Sequence, residues 1–363
     1  MNLVKTSYSK DDVTILLKDI TGLVTPLDIL EREKLTQAGV HYSEMLPIEY
    51  KPSPKYMEIY EEALETLSLK TANAVAILSS KLYKKYRSDL VIVSLARAGT
   101  PIGILIKRFF KYKYNLNVPH YSISIIRGKG IDKNAMDYIV SRHGSYGMQF
   151  VDGWIGKGAI NEVLQKECEL LKNTNNSYSY LDPSLAVLSD PAYITDLCGT
   201  HEDFLIPSAC LNSTVSGLIS RTFLKEGIIS KSDFHGAICY SDLASEDKSN
   251  EFIETVCKYF DKVSYNYFKN EIHSSTYKNG LEEIKSIAKN FGINDISKIK
   301  PGVGETTRVL LRRVPYMVLV KDLNSIDNFA HIKRLCTEKN VPIKEYPLEL
   351  YNVCGIIKKV SDV

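Results

Sequence analysis

The sequence predicts an α/β protein built on an open parallel sheet, followed by a smaller α/β unit at the C-terminal end. Three observations carry this reading. Leu90-Val91-Ile92-Val93-Ser94-Leu95 is an almost unbroken apolar run of strand length, the pattern of a strand covered on both faces. It passes through a short turn into a helical pattern at 102–110, and the strand–helix alternation recurs around 120–126 and 146–151. The last of these strands runs into an acid and a glycine-rich turn, Asp152-Gly153-Trp154-Ile155-Gly156-Lys157-Gly158, and then a helical stretch over 161–171. Open sheets of this kind bind ligands at the carboxyl ends of their strands.

Residues 1–55 read as an N-terminal extension. Leu27 to Arg32 suits a helix with Thr25 as N-cap and Pro26 at its first position, and a proline-rich link passes through Pro47, Pro52 and Pro54. Residues 56–86 carry Met57, Tyr60, Ala63, Leu64 and Leu67 at helical spacing and predict one or two long helices. After the turn at Ala96–Pro101, Thr100 is the expected cap of the next helix, with Pro101 at its first position. Further strands are expected at 185–190 and 235–240, and helices at 212–224 and 251–259. The polar stretch 269–280 marks the boundary, so that 56–270 forms the main domain and 281–363 the second. In that second domain the stretch 299–308 opens a helix that runs through Arg313. It is followed by a strand at 316–320, a helix at 329–339 and a short strand at 342–346.

A chain of 363 residues has room for two or three domains and an ample core. A net charge of +3 is too small to signal nucleic acid, so any basic surface must be local. No apolar run approaches transmembrane length, and the first residues lack the apolar segment of a signal peptide. The seven cysteines are scattered without paired spacing, which predicts reduced thiols in a cytoplasmic protein.

The glycine-rich turn is the first chemical candidate. A buried strand leading through such a turn to a helix start presents unpaired N–H groups and a dipole that favour an anion. Gly156 and Gly158 let the backbone approach a phosphate, and Lys157 adds a cation. Asp152 suits a sugar hydroxyl or a metal. The order of parts excludes a P-loop, since no hydroxyl follows Lys157, and a dinucleotide fingerprint, since this is not the first βαβ unit.

Other candidates lie at neighbouring strand ends. Arg97, Ala98 and Gly99 follow the first sheet strand, and Arg127-Gly128-Lys129-Gly130 makes a basic loop able to close over an anionic substrate. Arg142 and His143 precede the Asp152 strand. Ser213, Ser216 and Ser220 would share one face of a helix beside Arg221, as a wall facing an acceptor or as a packing face of small residues. Cys198 and His201 are three residues apart, but spacing alone supplies neither mutual geometry nor an oriented base. A zinc site from Cys198, His201, His235 and Cys239 lacks the tight cysteine pairs of structural zinc.

The Asp152 turn resembles the ribose-phosphate loop of type I phosphoribosyltransferases. Asp152 matches its first acid and Gly158 its first glycine, while Gly153 replaces the second acid, Lys157 and Ile160 the two threonines, and Ala159 the second glycine. The wording Val151-Asp152-Gly153-Trp154-x-Gly156-Lys157-Gly158-Ala159-Ile160 resembles the StiP family, phosphoribosyltransferase-like proteins found with bacterial tellurite-resistance and stress operons. The resemblance implies a type I phosphoribosyltransferase-like sheet and an enzyme using 5-phosphoribosyl diphosphate with Mg²⁺ to ribosylate a nucleobase-like acceptor. Asp152, Arg127 and Lys129 would be catalytic. Arg97, Ala98, Gly99, Gly153, Gly156, Lys157, Gly158, Ala159, Ser216 and Arg221 would bind substrate. The alternative is a non-catalytic sensor of such a ligand coupled to RNA. StiP-like proteins are sometimes labelled cysteine proteases, and protease chemistry at Cys198 and His201 ranks behind both.

Lys298, Lys300, Arg308, Arg312 and Arg313 form a local basic cluster opposed only by Glu305. Lys300-Pro301-Gly302-Val303-Gly304-Glu305-Thr306-Thr307-Arg308 resembles the loop of pelota and kink-turn-binding ribosomal protein domains, with Gly304 in place of the usual asparagine. That resemblance, spanning about 281–360, implies contact with structured RNA through Gly304, Glu305, Arg308 and Arg312. The expected partners are thus 5-phosphoribosyl diphosphate, a nucleobase-like acceptor and RNA, with a homodimer compatible and no membrane.

Overall fold

The computed structural model describes residues 2–268 and 275–357. The expected boundary at 269–280 begins in residues outside the described range, as does the end of the second unit beyond 357. A six-stranded sheet forms the centre: β1 (Thr14–Ile15), β2 (Val91–Leu95), β3 (His120–Ile123), β4 (Met148–Trp154), β5 (Leu185–Ser189) and β6 (Cys198–Thr200). Its spatial order is β1-β3-β2-β4-β5-β6, and every neighbouring pair is parallel. Counted from β2, the five major strands follow the order 2-1-3-4-5 of one doubly wound class, whose direction of winding reverses between β2 and β4.

Alternation along the strands builds two cores. Ile92, Val151 and Ala186 face one side, with α2 (Pro54–Tyr86), α3 (Gly99–Tyr114) and α6 (Ser249–Cys257). Val91, Val93, Phe150 and Val187 face the other, with α4 (Lys133–His143) and α5 (Ala159–Thr174). The long helix is continuous: α2 runs 33 residues from Pro54, capped by Ser53. The helix near the N-terminal end, α1 (Ile29–Gln37), begins later than expected. Asp28, not Thr25, caps it, and Glu31 completes a capping box. In α3, Thr100 does not act as a cap; its hydroxyl is buried against Ser122.

The helix expected over 212–224 does not form. Only the short turn Ser213–Val215 is helical, because Gly217 and Leu218 both take positive φ and break the repeat. The chain then runs alongside 235–240, where Ile219 bridges Cys239 and Phe223 bridges Gly236. The strand expected at 235–240 is correspondingly short, Gly236–Ala237, and pairs with Lys18–Asp19.

The C-terminal unit is a four-stranded sheet of β7 (Ile299–Pro301), β8 (Met317–Val320), β9 (Ile343–Glu345) and β10 (Val353–Ile356), in the order β7-β10-β8-β9. Around it lie α7 (Gly280–Asn290), α8 (Gly302–Arg312) and α9 (Ala330–Glu338). It sits against the carboxyl end of the main sheet. The buried Asp203 carboxylate accepts from Val303 N at 2.8 Å and Asn352 N at 2.9 Å, and Tyr351 OH donates to Gly156 O at 2.7 Å. Val303 and Leu310 belong to one core of the main sheet, and Ile284, Ile287 and Leu319 to the other. Among the described residues no helix is long and apolar enough to cross a membrane.

Candidate functional site

The reversal between β2 and β4 opens a cleft of ≈ 1200 Å³ at the carboxyl ends of those strands. Its wall includes Leu95 to Ala98 and Asp152 from the sheet, Cys210 to Thr214 from the broken segment, and Arg308, Arg312 and Arg313 from the C-terminal unit. Seven cationic side chains line it against three carboxylates, Glu33, Glu49 and Asp152. Arg97 donates to Glu49 Oε1 at 2.7 Å and to Ile219 O at 3.0 Å. Arg308 donates to Ala209 O at 3.4 Å and Asn212 Oδ1 at 3.3 Å, and Arg312 shares the same asparagine oxygen. Arg221 donates to Tyr42 O and Met45 O, at 2.8 and 3.2 Å.

Burial and mutual repulsion set the charges. Arg308 falls to about 9 through burial, with Arg312 and Arg97 adding to the shift; Arg221 falls to about 10 through burial, Arg32 and Arg97. Burial pushes the Glu49 carboxyl up, but Arg97, Arg312 and Arg308 outweigh it and hold the group below its ordinary value. Burial carries Asp152 up to about 6, against the Gly153 N–H, which its Oδ1 accepts at 2.8 Å, and against Arg308.

Of the residues singled out from sequence, Arg97, Ala98, Asp152, Arg221, Arg308 and Arg312 meet on this cleft. The glycine turn does not open onto it. A Cβ at Gly156 would lie 3.1 Å from Glu305 Oε1, and one at Gly158 2.7 Å from Ile194. Lys157 donates to Ile299 O at 2.7 Å and lies 4.0 Å from Glu305. The turn is thus packed under the C-terminal unit, with Gly158 capping α5 at φ 83° and Ala159 its first residue. Gly153 lies against Ala98, Gly99 is buried at the start of α3, and Gly304 faces Trp154. Arg127 stacks over Tyr42, and Lys129 pairs with Glu44 at 3.6 Å; neither lines the cleft. Ser216 is buried in a small space behind it, beside Arg97 and Arg308. His143 bonds the Tyr121 hydroxyl at 2.9 Å, on the surface. Among the described residues no group of three or more His, Cys, Asp or Glu is placed to hold a metal, so the four residues weighed for zinc do not form a site. His235, one of the four residues weighed for zinc, bonds Ser124 at 2.7 Å instead.

A second arrangement lies two strands away, at the edge strand β6. Cys198 Sγ is 3.5 Å from His201 Nε2. His201 Nδ1 lies 2.7 Å from the Asp190 carbonyl, which can only accept, so Nδ1 carries the proton; Nδ1 is also 3.9 Å from the sulfur. Tyr193 stacks on the ring at 4.1 Å and 6°. Asp190 anchors the turn by accepting from Ile194 N and Thr195 N at 2.6 and 2.7 Å. Lys81 on α2 donates to Cys198 O at 2.8 Å. Cys198 itself is only 1% exposed. Cys168, Cys210 and Cys336 are each pushed up to about 12, chiefly by burial. The orienting carbonyl was invisible in the sequence because it is supplied by backbone eleven residues away. Glu49, which pairs with Arg97 in the cleft, also carries no local signal.

Comparison with known proteins supplies the family. A model described as "Tellurite-like stress resistance cysteine protease StiP" matches residues 6–257, and one described as "PELOTA RNA binding domain" matches residues 278–359. Across the whole length, the chain is 33% identical over 371 aligned positions to "Cysteine protease StiP" of Acinetobacter baylyi (strain ATCC 33305 / BD413 / ADP1), covering 98% of this chain and 94% of the relative. These names overturn the expectation of phosphoribosyl transfer, and the glycine turn is packed against Glu305, Ile194 and Tyr351 instead of lying open on the cleft. The chain belongs to the StiP family and carries a Pelota-type domain at its C-terminal end.

Proposed function

We propose that the protein is a cysteine peptidase with Cys198 as nucleophile and His201 as base. The observation that carries this is the 3.5 Å approach of Sγ to an imidazole whose other nitrogen is already committed to the Asp190 carbonyl. Nε2 takes the thiol proton, and the thiolate sulfur attacks the peptide carbonyl carbon. The imidazolium then returns the proton to the departing amine nitrogen, leaving a thioester that water hydrolyses. Tyr193, stacked on the ring, and the Asp190 carbonyl fix the tautomer and plane of the base throughout. Because the sulfur is buried, substrate reaches it only when the groups packed around it move aside. The name of the relative supports the reaction class.

On this reading the main unit is a phosphoribosyltransferase-like scaffold put to another use: the acid after the central strand is kept, and the glycine turn has become a docking surface. The family matches end at 257 and resume at 278, which supports a division within 269–280.

The test is labelling of the pure protein by a thiol-directed peptidyl electrophile, followed by site mapping, together with hydrolysis of a denatured protein substrate. Cys198→Ser and His201→Ala should each abolish labelling and hydrolysis, and Cys210→Ser should preserve both. Loss of activity in Cys210→Ser with retention in Cys198→Ser would move the nucleophile into the arginine cleft and refute the assignment.

A further inference from the structure

The peptidase chemistry leaves the arginine cleft without a role. Its cations come from both units: Arg97 and Arg221 from the first, Arg308 and Arg312 from α8 of the second. We propose that the cleft binds single-stranded RNA, with the phosphates of one strand shared between these two pairs of arginines.

Four observations converge. The cationic excess sits in a concave space, where like charges repel and an anion relieves them. Six of the seven cations are arginine, whose planar fork matches two phosphate oxygens at once. The Nε atoms of Arg32 and Arg221 are buried without a hydrogen-bond partner, so the lining holds donors in reserve. Tyr50, 65% exposed, and Tyr56 lie on the same wall and offer ring faces for bases.

The shape decides the form of the nucleic acid. At ≈ 1200 Å³ the cleft exceeds what a small ligand needs, about 300 to 1,000 Å³. Arg308 is half-buried in the cleft wall and hydrogen-bonded to Ala209 and Asn212 of the first unit, so it does not stand on an open convex face where a folded duplex could lie against it. A single strand, unstacked and narrow, can enter. The helix within the Pelota-type match therefore meets RNA together with the main domain, not by itself.

The experiment is fluorescence anisotropy of the full chain with a labelled eight-nucleotide oligouridine RNA across a salt series. Saturable binding is expected, with Arg97→Lys and Arg308→Ala each weakening it roughly tenfold. Arg308→Ala should also flatten the log–log salt slope by about 0.7, the value for one phosphate contact on a single strand. Arg142→Ala, far from the cleft, should change nothing. Thermal melting confirms that each variant is folded, and Arg97→Lys keeps the charge that pairs with Glu49. Absence of binding, or sensitivity to Arg308→Ala without sensitivity to Arg97→Lys, would overturn the shared site. Tighter binding of a kink-turn hairpin, or equal binding of an oligoglutamate peptide with the same arginine dependence, would overturn it as well. Cys198→Ser should bind RNA like the unaltered chain, so this result stands or falls apart from the peptidase assignment.

Discussion

The two candidate sites lie on the same edge of one sheet and divide the requirements of a site between them. At the reversal between β2 and β4 there is space and charge, but no imidazole; Cys210 lines the cleft with its thiol driven up to about 12. At β6 a thiol, a base and an orienting carbonyl stand together, but the sulfur is closed off. The contrast teaches that openness and reactivity are separate properties. A cleft forms wherever the winding of a doubly wound sheet reverses, whereas an oriented acid–base pair needs specific backbone groups that a tight turn at a sheet edge can hold.

The largest expected effect breaks the contrast most directly. Removing the nucleophile or base, by Cys198→Ser or His201→Ala, should lower peptidase turnover by at least about 10³-fold, as losses of paired catalytic groups do. Cleft substitutions such as Arg308→Ala should leave that turnover near its original value. Steady-state rates on one substrate check both.

Next comes the clamp that closes the cleft. Asp203→Ala leaves Val303 N and Asn352 N without their acceptor and should destabilise the docked C-terminal unit by roughly 2 to 4 kcal/mol. Urea unfolding followed by hydrogen exchange in 300–312 measures this; unchanged protection there would mean that the units are held by other contacts.

A pH experiment probes the floor of the cleft. The buried Asp152 carboxyl titrates at about 6 in the folded protein against about 3.9 unfolded. Between those values the folded chain keeps a proton that the unfolded chain has lost, so its contribution to stability falls as pH rises from about 4 to 6 and stays low above. Asp152→Asn should abolish this slope and gain roughly 2 kcal/mol relative to the parent at pH 7 compared with pH 4. A bound polyanion would raise the carboxyl further and extend the parent's slope to higher pH. Denaturation midpoints of both proteins at the two pH values supply the test.

The smallest effect concerns access. Tyr193→Ala removes the ring stacked on His201 and should speed alkylation of Cys198 only a few-fold, roughly the weight of one aromatic contact. Slower alkylation would show that the ring chiefly orients the base instead of covering the site.

Much of the scaffold was legible because it rests on local pattern. The run at 90–95 became β2, the stretch at 146–151 became β4, and the helical spacing over 56–86 became α2. The segment 212–224 was misread for an equally local reason: its apolar spacing is helical, but Gly217 and the positive φ of Leu218 turn the chain instead. The glycine turn at 156–158 has the composition of an anion site, yet Glu305 and Tyr351, far along the chain, occupy its face.

By itself the sequence determined most of the strands and helices of the main sheet, though not the turn at 217–218, and it placed Cys198 near His201 and arginines at 97, 308 and 312, because periodicity and spacing act over a few residues. Only the tertiary structure decided which of these groups work together. The Asp190 carbonyl that orients His201, and the union of Arg97 with Arg308 across two units, arise from packing between segments 11 to 211 residues apart. No local pattern can encode a contact whose two halves meet only after the sheet has formed and the second unit has docked.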